Sequence, residues 1–379
     1  MHTTIPEIIS TPDSLERLVR SFCSEPVLAF DLEADSMHHY KEKVCLIQVA
    51  TSVEAVLIDP LILPDISSLA SLLVDPAIRK VFHGADYDVR SMRRDFSVQV
   101  NNLFDTMIAC QFLGEKEVGL AAVLKKRFGV ELDKRYQKAD WSKRPLEPAM
   151  IAYAAADTSL LVALYRQLES ELIAKGRLSW VEEESELLSQ AAASERSNKP
   201  LFYRFKGADK MDPRTLAVLE ELLQLRDLKA RISDRPPFKI LSHETLCVLA
   251  EKKPRKNADL FGISGFSVKQ IDRYGAEIIQ AVGRGVSLAD DSLPAYPRPA
   301  RLRRDRHKVE RCKKLKLWRE SKSAELGIYA GIMANNTLLE ALSDAVPRDM
   351  DELEKVPGLR RWQKMEFGAE LLAELRQTC

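Results

Sequence analysis

Short apolar runs and amphipathic segments alternate through the N-terminal half of the chain. Apolar residues recur at helical spacing from Ser14 to about Cys23, and the apolar run over residues 26–31 is typical of a buried strand. Residues 44–49 and 54–59 form two further runs joined by a short polar turn, which predicts an antiparallel meander. Helical and extended patterns then alternate up to a long predicted helix over residues 148–174. This order predicts an α/β domain with a mixed sheet flanked by helices.

The C-terminal half has a different pattern, because every periodic segment beyond Ser194 is helical. Two blocks share one skeleton of a helix, a capped helix, a turn and a terminal helix, and both turns read apolar-x-Gly-apolar, at residues 263–266 and 356–359. Polar segments containing proline and glycine precede each block. We therefore predict an N-terminal domain over residues 1–196, a linker over 197–211, a helical domain over 212–288, a linker over 289–305 and a second helical domain over 306–379.

Composition, the N-terminal segment and cysteine spacing indicate which classes of protein are excluded. A hydrophobic content of 45% and a charged content of 30% are those of a globular protein, and we expect no transmembrane helix. The N-terminus lacks the basic and apolar regions of a secretory signal, so we expect a cytoplasmic protein. The six cysteines have no paired C-x-x-C spacing, which argues against a zinc site and a disulfide framework. A net charge of +1 does not by itself indicate a nucleic-acid-binding protein.

Two pairs of residues have the spacing of a metal site. Asp31 and Glu33 lie two residues apart at a strand end, so both carboxylates project to one side of the sheet, where a hard cation such as Mg²⁺ or Mn²⁺ would offset their repulsion. Tyr153 and Asp157 are four residues apart and share a helix face, with only alanines between them. Each pair also has a simpler interpretation, as a strand end that turns polar or as a core aromatic beside a surface acid.

A third element runs from His83 to Asp88, where a predicted strand leads into a helix. An acid at this place would point back toward the edge of the sheet. Asp86 and Asp88 are both candidates, and the residue pattern alone leaves the choice between them open.

In their order and spacing these three elements resemble the motifs of the DEDD exonuclease superfamily, in its tyrosine-bearing branch, and specifically those of the ribonuclease D family. The two helical blocks are similar to HRDC domains, the helicase and ribonuclease D C-terminal module. The resemblance implies a ribonuclease H-like exonuclease domain followed by two all-α HRDC bundles. It extends through residues 46–48, 105–106, 132–134, 140–141 and 144–146.

The resemblance also implies a reaction. A 3′-to-5′ exoribonuclease of this type would use two divalent metal ions, Mg²⁺ or Mn²⁺, to release 5′-mononucleotides from RNA with a free 3′ end, such as tRNA precursors. Asp31 would bridge both ions, and Glu33 and Asp157 would complete the site for the ion that activates water. Asp88, rather than Asp86, would support the ion at the leaving group. Tyr153 would hydrogen-bond the attacking water.

Further residues are candidates for substrate binding. For Gln48 a hydrogen bond at the sheet edge is an equal alternative, for His83 a place in the core is at least as good an interpretation, and for Trp141 a role in packing is favoured. Lys134 and Lys138 lie on a polar loop beside the Asp140–Trp141 motif, where they are either solvated or in contact with phosphates.

Three other features bear on the interpretation. Asp105 is expected to cap the helix that begins at Thr106. Ala34 stands where many family members carry an aromatic residue, and Met37 or Tyr40 are the candidate substitutes for base stacking. The strongest basic run is expected to bind the RNA backbone, and its residues are Arg301, Arg303, Arg304, Arg306, Lys308, Arg311, Lys313, Lys314 and Lys316.

Two other functions remain compatible with the same motifs. A 3′-to-5′ DNA exonuclease would share the metal site, and the paired HRDC-like blocks together with residues 140–146 favour RNA. A non-catalytic RNA-binding scaffold would keep the fold, but the intact set of acidic residues argues against it.

Overall fold

The computed structural model describes residues 6–63, 65–190, 199–297 and 305–376. The chain forms two compact units. The first contains Met1–Ala34, Val44–Ser194 and Leu302–Cys379, and the second contains Asp35–Lys43 and Glu195–Arg301. The predicted division into three domains therefore differs from the observed units. The second helical block belongs with the N-terminal domain, and a loop that follows the first acidic motif belongs with the first block.

The sheet of the first unit has six strands in the order β1-β4-β3-β2-β5-β6. The neighbours β2 and β3, and β3 and β4, are antiparallel, whereas the remaining neighbours are parallel, which confirms the predicted mixed sheet. The strands are β1 (Ile8–Ile9), β2 (Val27–Ala34), β3 (Val44–Ala50), β4 (Ala55–Ile58), β5 (Arg79–Phe82) and β6 (Leu103–Asp105).

Helices cover both faces of this sheet. They are α1 (Pro12–Phe22), α2 (Ser67–Val74), α3 (Asp86–Phe96), α4 (Thr106–Phe112), α5 (Leu120–Phe128), α6 (Pro148–Ser159), α7 (Leu161–Ala174) and α8 (Leu178–Ser189). Side chains along β2 point alternately to the two faces of the sheet, and each face has its own hydrophobic cluster. Leu28 and Phe30 are buried with residues of α1, α2 and α3. Ala29 is buried with residues of α4, α7 and α8. Asp31 alternates to the same side as Ala29.

One segment, Pro148–Ala174, bears on the expectation that the chain has no transmembrane helix. By length and composition alone it would suffice to cross a membrane. However, 56% of its most apolar window is buried inside the fold, as in the core helix of a globular protein. The chain also divides it into two helices at Leu160, so the predicted single helix is wrong in this respect.

The second unit is helical, with α9 (Pro213–Ile232), α10 (Pro237–Ile240), α11 (His243–Lys252) and α12 (Val268–Ser287). Three of these helices have a polar N-cap residue whose side-chain oxygen accepts a backbone N–H group of the first turn. These caps are Asp212, Ser242 and Ser267. The loop 35–43 packs in the same unit. The Tyr40 hydroxyl donates to Asp227 at 2.7 Å, and the Tyr40 ring packs against the helical core, so this ring is not a platform for base stacking.

The second helical block comprises α13 (Arg306–Leu326), α14 (Ala330–Met333), α15 (Asn336–Ala345), α16 (Met350–Glu354) and α17 (Arg361–Arg376). It packs against α8 of the same unit. Trp362 stacks on Trp180 with ring centroids 4.7 Å apart, and the Glu183 carboxylate accepts the backbone N–H groups of Arg361 and Trp362 at 2.8 and 2.9 Å. An acidic side chain of α8 therefore caps the first turn of α17.

Candidate active site

Three carboxylates meet at one edge of the sheet. Asp31 and Glu33 project from the end of β2, and Asp157 comes from α6, which packs over β2, β3 and β4. One ligand oxygen from each of the three lies within 4.8 Å of the others. The two acidic pairs that the sequence singles out thus form one cluster, with the spacing of a divalent cation site.

Asp88 approaches the same cluster from α3. Its side chain is only 7% exposed, and its charge contributes to raising the pKa of Asp31 and of Glu33. Asp86, the competing acid, is exposed and forms an ion pair with Arg90 one helical turn later. The structure therefore places Asp88 within electrostatic range of Asp31 and Glu33, whereas Asp86 lies at the surface.

Crowding and burial disfavour negative charge at all four positions. Burial, followed by the charges of Asp31, Asp157 and Asp88, raises the pKa of Glu33 to about 10, and burial with the charges of Asp88 and Asp157 raises the pKa of Asp31. Burial with the charges of Asp105 and Asp86 raises the pKa of Asp88 to about 7, and burial raises the pKa of Asp157 to about 6. Four crowded carboxylates are a donor set that fits hard divalent cations such as Mg²⁺ or Mn²⁺.

Tyr153 lies one turn before Asp157 on α6. A hydrogen bond from its hydroxyl lowers the pKa of Asp157, against the larger effect of burial. The Tyr153 ring is held between Tyr136 and Trp141, with centroid distances of 5.8 and 6.0 Å. Burial and the charges of Asp157 and Glu33 raise the pKa of the Tyr153 hydroxyl, so it keeps its proton and acts as a hydrogen-bond donor.

Asp105 has a second role beyond the helix cap that the sequence predicts. Its Oδ1 accepts the backbone N–H groups of Met107 at 2.8 Å and Ile108 at 3.3 Å, which caps α4. The same carboxylate also accepts the N–H groups of Gly84 at 2.9 Å and Ala85 at 2.8 Å. Asp105 therefore fixes the turn that leads into α3 and its Asp88. The sequence contains no signal for this second pair of bonds, because the residues are about 20 positions apart.

Known proteins share the fold of this chain. A family model described as a 3′-5′ exonuclease matches residues 6–173, and an HRDC domain model matches residues 215–282 and 309–375. A ribonuclease D from Gluconacetobacter diazotrophicus is 30% identical over 97% of this chain and 92% of its own length. The chain belongs to the ribonuclease D family.

Solved structures agree with this assignment. Escherichia coli RNase D, described as an exoribonuclease involved in structured RNA processing, aligns with a TM-score of 0.73 and 26% identity over 98% of this chain and 99% of its own. The catalytic core of RRP6 from Trypanosoma brucei aligns with a TM-score of 0.65 and 30% identity over 75% of this chain and 80% of its own. The two helical blocks are therefore HRDC domains, and the fold class predicted from the sequence is confirmed.

The candidate substrate contacts of this ribonuclease D homologue fall into two groups. Gln48 and Trp141 are buried, at 0% and 1% exposure, so neither presents a surface to RNA in this structure. His83 Nδ1 lies 2.9 Å from Thr106 Oγ1, which donates its own proton to the carbonyl of Phe82 at 2.9 Å. The Thr106 hydroxyl therefore accepts from His83, which makes His83 a structural partner of β5 and α4.

Lys134 and Lys138, in contrast, are exposed on the loop before α6. Next to them, a cavity of about 330 Å³ lies between this loop and α6 and reaches Tyr153 and Asp157. A larger cavity of about 860 Å³ shares the wall residues Glu131 and Leu132 and is also lined by Lys116, Lys125, Lys126 and Lys134. Two of these lysines are paired with acids of the same wall, Lys125 with Glu131 at 2.7 Å and Lys126 with Glu115 at 2.5 Å. The cavity beside the acidic cluster therefore adjoins a second cavity whose wall carries both positive and negative side chains.

The basic run at the second HRDC domain is partly neutralised. Arg301, Arg303 and Arg304 lie outside the described residues. On α13, Lys308 forms an ion pair with Asp344 at 2.7 Å, and Arg311 forms one with Asp305 at 3.3 Å. Arg306, Lys313 and Lys316 are exposed, so α13 presents fewer available positive charges than the sequence suggests.

An ion pair that the sequence analysis missed supports the loop before α6. Two nitrogens of the Arg144 guanidinium bind the Asp59 carboxylate, Nε to Oδ2 at 2.5 Å and Nη2 to Oδ1 at 2.7 Å. Nη2 also donates to the carbonyl of Cys45 at 2.7 Å. This bidentate pair ties the loop to the ends of β3 and β4. Arg144 lies within the Arg-Pro-Leu motif of the family resemblance, which was its one signal.

Proposed function

We propose that this 3′–5′ exoribonuclease hydrolyses RNA from a free 3′ end by two-metal-ion catalysis and releases 5′-mononucleotides, with tRNA precursors and other small structured RNAs as substrates. The observation that carries the proposal is the cluster of Asp31, Glu33 and Asp157, whose ligand oxygens lie within 4.8 Å of one another. The description of Escherichia coli RNase D as an enzyme of structured RNA processing supports the substrate class.

The four acidic residues would hold the metal ions. Asp31, Glu33 and Asp157 would serve the ion on the side of the attacking water, and Asp31 and Asp88 would serve the ion on the side of the leaving group. A bound pair of divalent cations supplies an activated water and stabilises the charge that develops on the leaving 3′-oxygen. Because all four carboxylates have raised pKa values without cations, their ionised forms and the metal ions stabilise each other.

Tyr153 would orient the attacking water. Its hydroxyl keeps its proton, and its ring is fixed between Tyr136 and Trp141. A protonated phenol held in place directs a hydrogen bond at the water and does not remove its proton. Asp157 accepts a hydrogen bond from the Tyr153 hydroxyl and also belongs to the acidic cluster. It would therefore link the position of the hydroxyl to that of the metal ions.

The cavity beside α6 would hold the 3′-terminal part of the RNA. Its α6 wall consists of Ala149, Ala152 and Ala156 together with Tyr153 and Asp157, so small side chains leave room beside the catalytic groups. Lys134 and Lys138 are exposed at the same loop and would contact phosphates of the incoming strand.

The proposal is tested by cleavage assays on 3′-hydroxyl RNA and on DNA of the same sequence, with Mg²⁺, Mn²⁺ or a chelator. We expect hydrolysis of RNA that requires the metal and is lost in Asp31→Asn, while the circular dichroism spectrum of this variant matches that of the parent. Equal cleavage of DNA would identify a DNA exonuclease with the same metal site. RNA binding without cleavage under any metal condition would identify a scaffold protein.

A further inference from the structure

Gln48 lies in the middle of β3, directly opposite Asp31 in the antiparallel pair with β2. Residues opposite each other in such a pair point to the same face, with Cβ atoms about 4.5–5.5 Å apart. The side chain of Gln48 is therefore the cross-strand neighbour of the Asp31 carboxylate. It lies on the sheet face that α6 covers, at 0% exposure.

Both polar atoms of the Gln48 carboxamide are buried. Among the described residues, neither its Oε1 nor its Nε2 has a partner. A buried polar group without a partner costs about 1–3 kcal/mol. Gln363 provides a comparison: it is also buried, but its Nε2 donates to the carbonyl of Met333 at 2.7 Å. Burial of a glutamine in this chain is thus compatible with a satisfied amide, and Gln48 departs from that pattern beside the metal cluster.

Asp31 has the complementary need. It belongs to the cluster that would hold the metal ions. A side-chain amide has two N–H donors and can bond a carboxylate oxygen without adding charge. Outer partners of this kind orient the ligands of protein metal sites.

We propose that Gln48 is a positioning residue of the metal centre, whose Nε2–H group hydrogen-bonds the Asp31 carboxylate when that carboxylate holds the metal ions. The proposal rests on the metal site of the proposed function. It explains why an amide stands at a fully buried position of β3 between the apolar residues Leu46 and Ala50. A glutamate here would add a fifth acid to the cluster, and an apolar residue would supply no donor.

Gln48→Met tests this assignment, because methionine has a similar length and no amide. Two quantities would be measured: the melting temperature of the metal-free protein and the dissociation constant for Mn²⁺ by titration calorimetry. We expect an unchanged or higher melting temperature, because an unpaired amide is removed, and Mn²⁺ affinity about 10- to 100-fold weaker. The kcat on RNA would fall at saturating Mn²⁺, with KM for RNA retained.

Gln363→Met is the matched control. It removes an amide whose hydrogen bond is made and which lies in the second HRDC domain. We expect a lower melting temperature and the parental Mn²⁺ affinity. Gln48→Met should thus weaken Mn²⁺ binding without loss of stability, and Gln363→Met should lower stability without a change in Mn²⁺ binding.

Parental Mn²⁺ affinity in Gln48→Met overturns the assignment, whatever the melting temperature. Failure of the proposed function would look different: the parent would bind Mn²⁺ and leave RNA intact, and the effect of Gln48→Met on Mn²⁺ affinity would still decide the role of Gln48. A parent that does not bind Mn²⁺ overturns both.

Discussion

The acidic cluster should make the metal-free protein lose stability as pH rises, and Glu33 allows the effect to be isolated. In the folded chain its pKa is about 10, against 4.5 for an unperturbed glutamate. A carboxyl whose pKa is raised by folding favours the folded state at low pH, and this contribution is lost between the unfolded and folded pKa values. For one such proton the free energy of unfolding falls by about 1.4 kcal/mol per pH unit.

Between pH 5.5 and 7.5 the Glu33 carboxyl would thus lower the stability of the metal-free protein by about 3 kcal/mol. For a unit of this size, each kcal/mol corresponds to about 2–4 °C in melting temperature. The melting temperature of the parent in chelator should therefore fall by about 6–12 °C more than that of Glu33→Gln over this pH range. The glutamine keeps the size of the side chain and cannot ionise.

Thermal unfolding followed by circular dichroism, with and without Mn²⁺, measures both effects. Mn²⁺ at 100 times its dissociation constant should stabilise the parent by about 2.7 kcal/mol at pH 7.5, and Glu33→Gln by much less at the same concentration. The reasoning is refuted if Glu33→Gln in chelator is as sensitive to pH as the parent, or if Mn²⁺ stabilises both proteins equally.

Three further predictions concern the other residues of the site. Tyr153→Phe should lower kcat about 100-fold in single-turnover assays while the Mn²⁺-induced shift in melting temperature stays parental, and parental turnover would contradict the role of the hydroxyl. Asp105→Ala should lower the free energy of unfolding in urea by about 2–4 kcal/mol, because four backbone N–H groups lose their acceptor. The control Asp65→Ala, at an exposed turn, should have little effect on the free energy of unfolding. Lys134→Ala and Lys138→Ala should each reduce the slope of log affinity for RNA against log salt by about 0.7, and an unchanged slope would place the RNA elsewhere.

Local periodicity was sufficient to predict the parts of the site that lie within one element. Two-residue spacing placed Asp31 and Glu33 on one side of β2, and four-residue spacing placed Tyr153 and Asp157 on one face of α6. Neither pattern could join the two pairs, because their meeting depends on how α6 packs across the sheet. The choice of Asp88 over Asp86 came from family resemblance, and the structure adds a physical reason in the exposure of Asp86 and its pairing with Arg90.

The sequence could not predict contacts between residues that lie far apart along the chain. The burial of Gln48 follows from its position in the strand register and from the helix above it. Likewise, Glu183 on α8 is an ordinary helix glutamate by sequence, yet its carboxylate accepts the first N–H groups of α17, almost 180 residues later. For the same reason the predicted boundaries gave no sign that the second HRDC domain packs with the exonuclease domain.

In the proposed reaction the chain removes nucleotides from the 3′ end of RNA at its acidic cluster. The most direct measurement follows a 5′-labelled RNA with a 3′-hydroxyl in Mg²⁺ and identifies the released product by chromatography. We expect a ladder that shortens from the 3′ end and release of nucleoside 5′-monophosphates. Neither should occur in chelator or with Asp31→Asn. Immediate release of the labelled 5′ end, or the same products from Asp31→Asn, would contradict it.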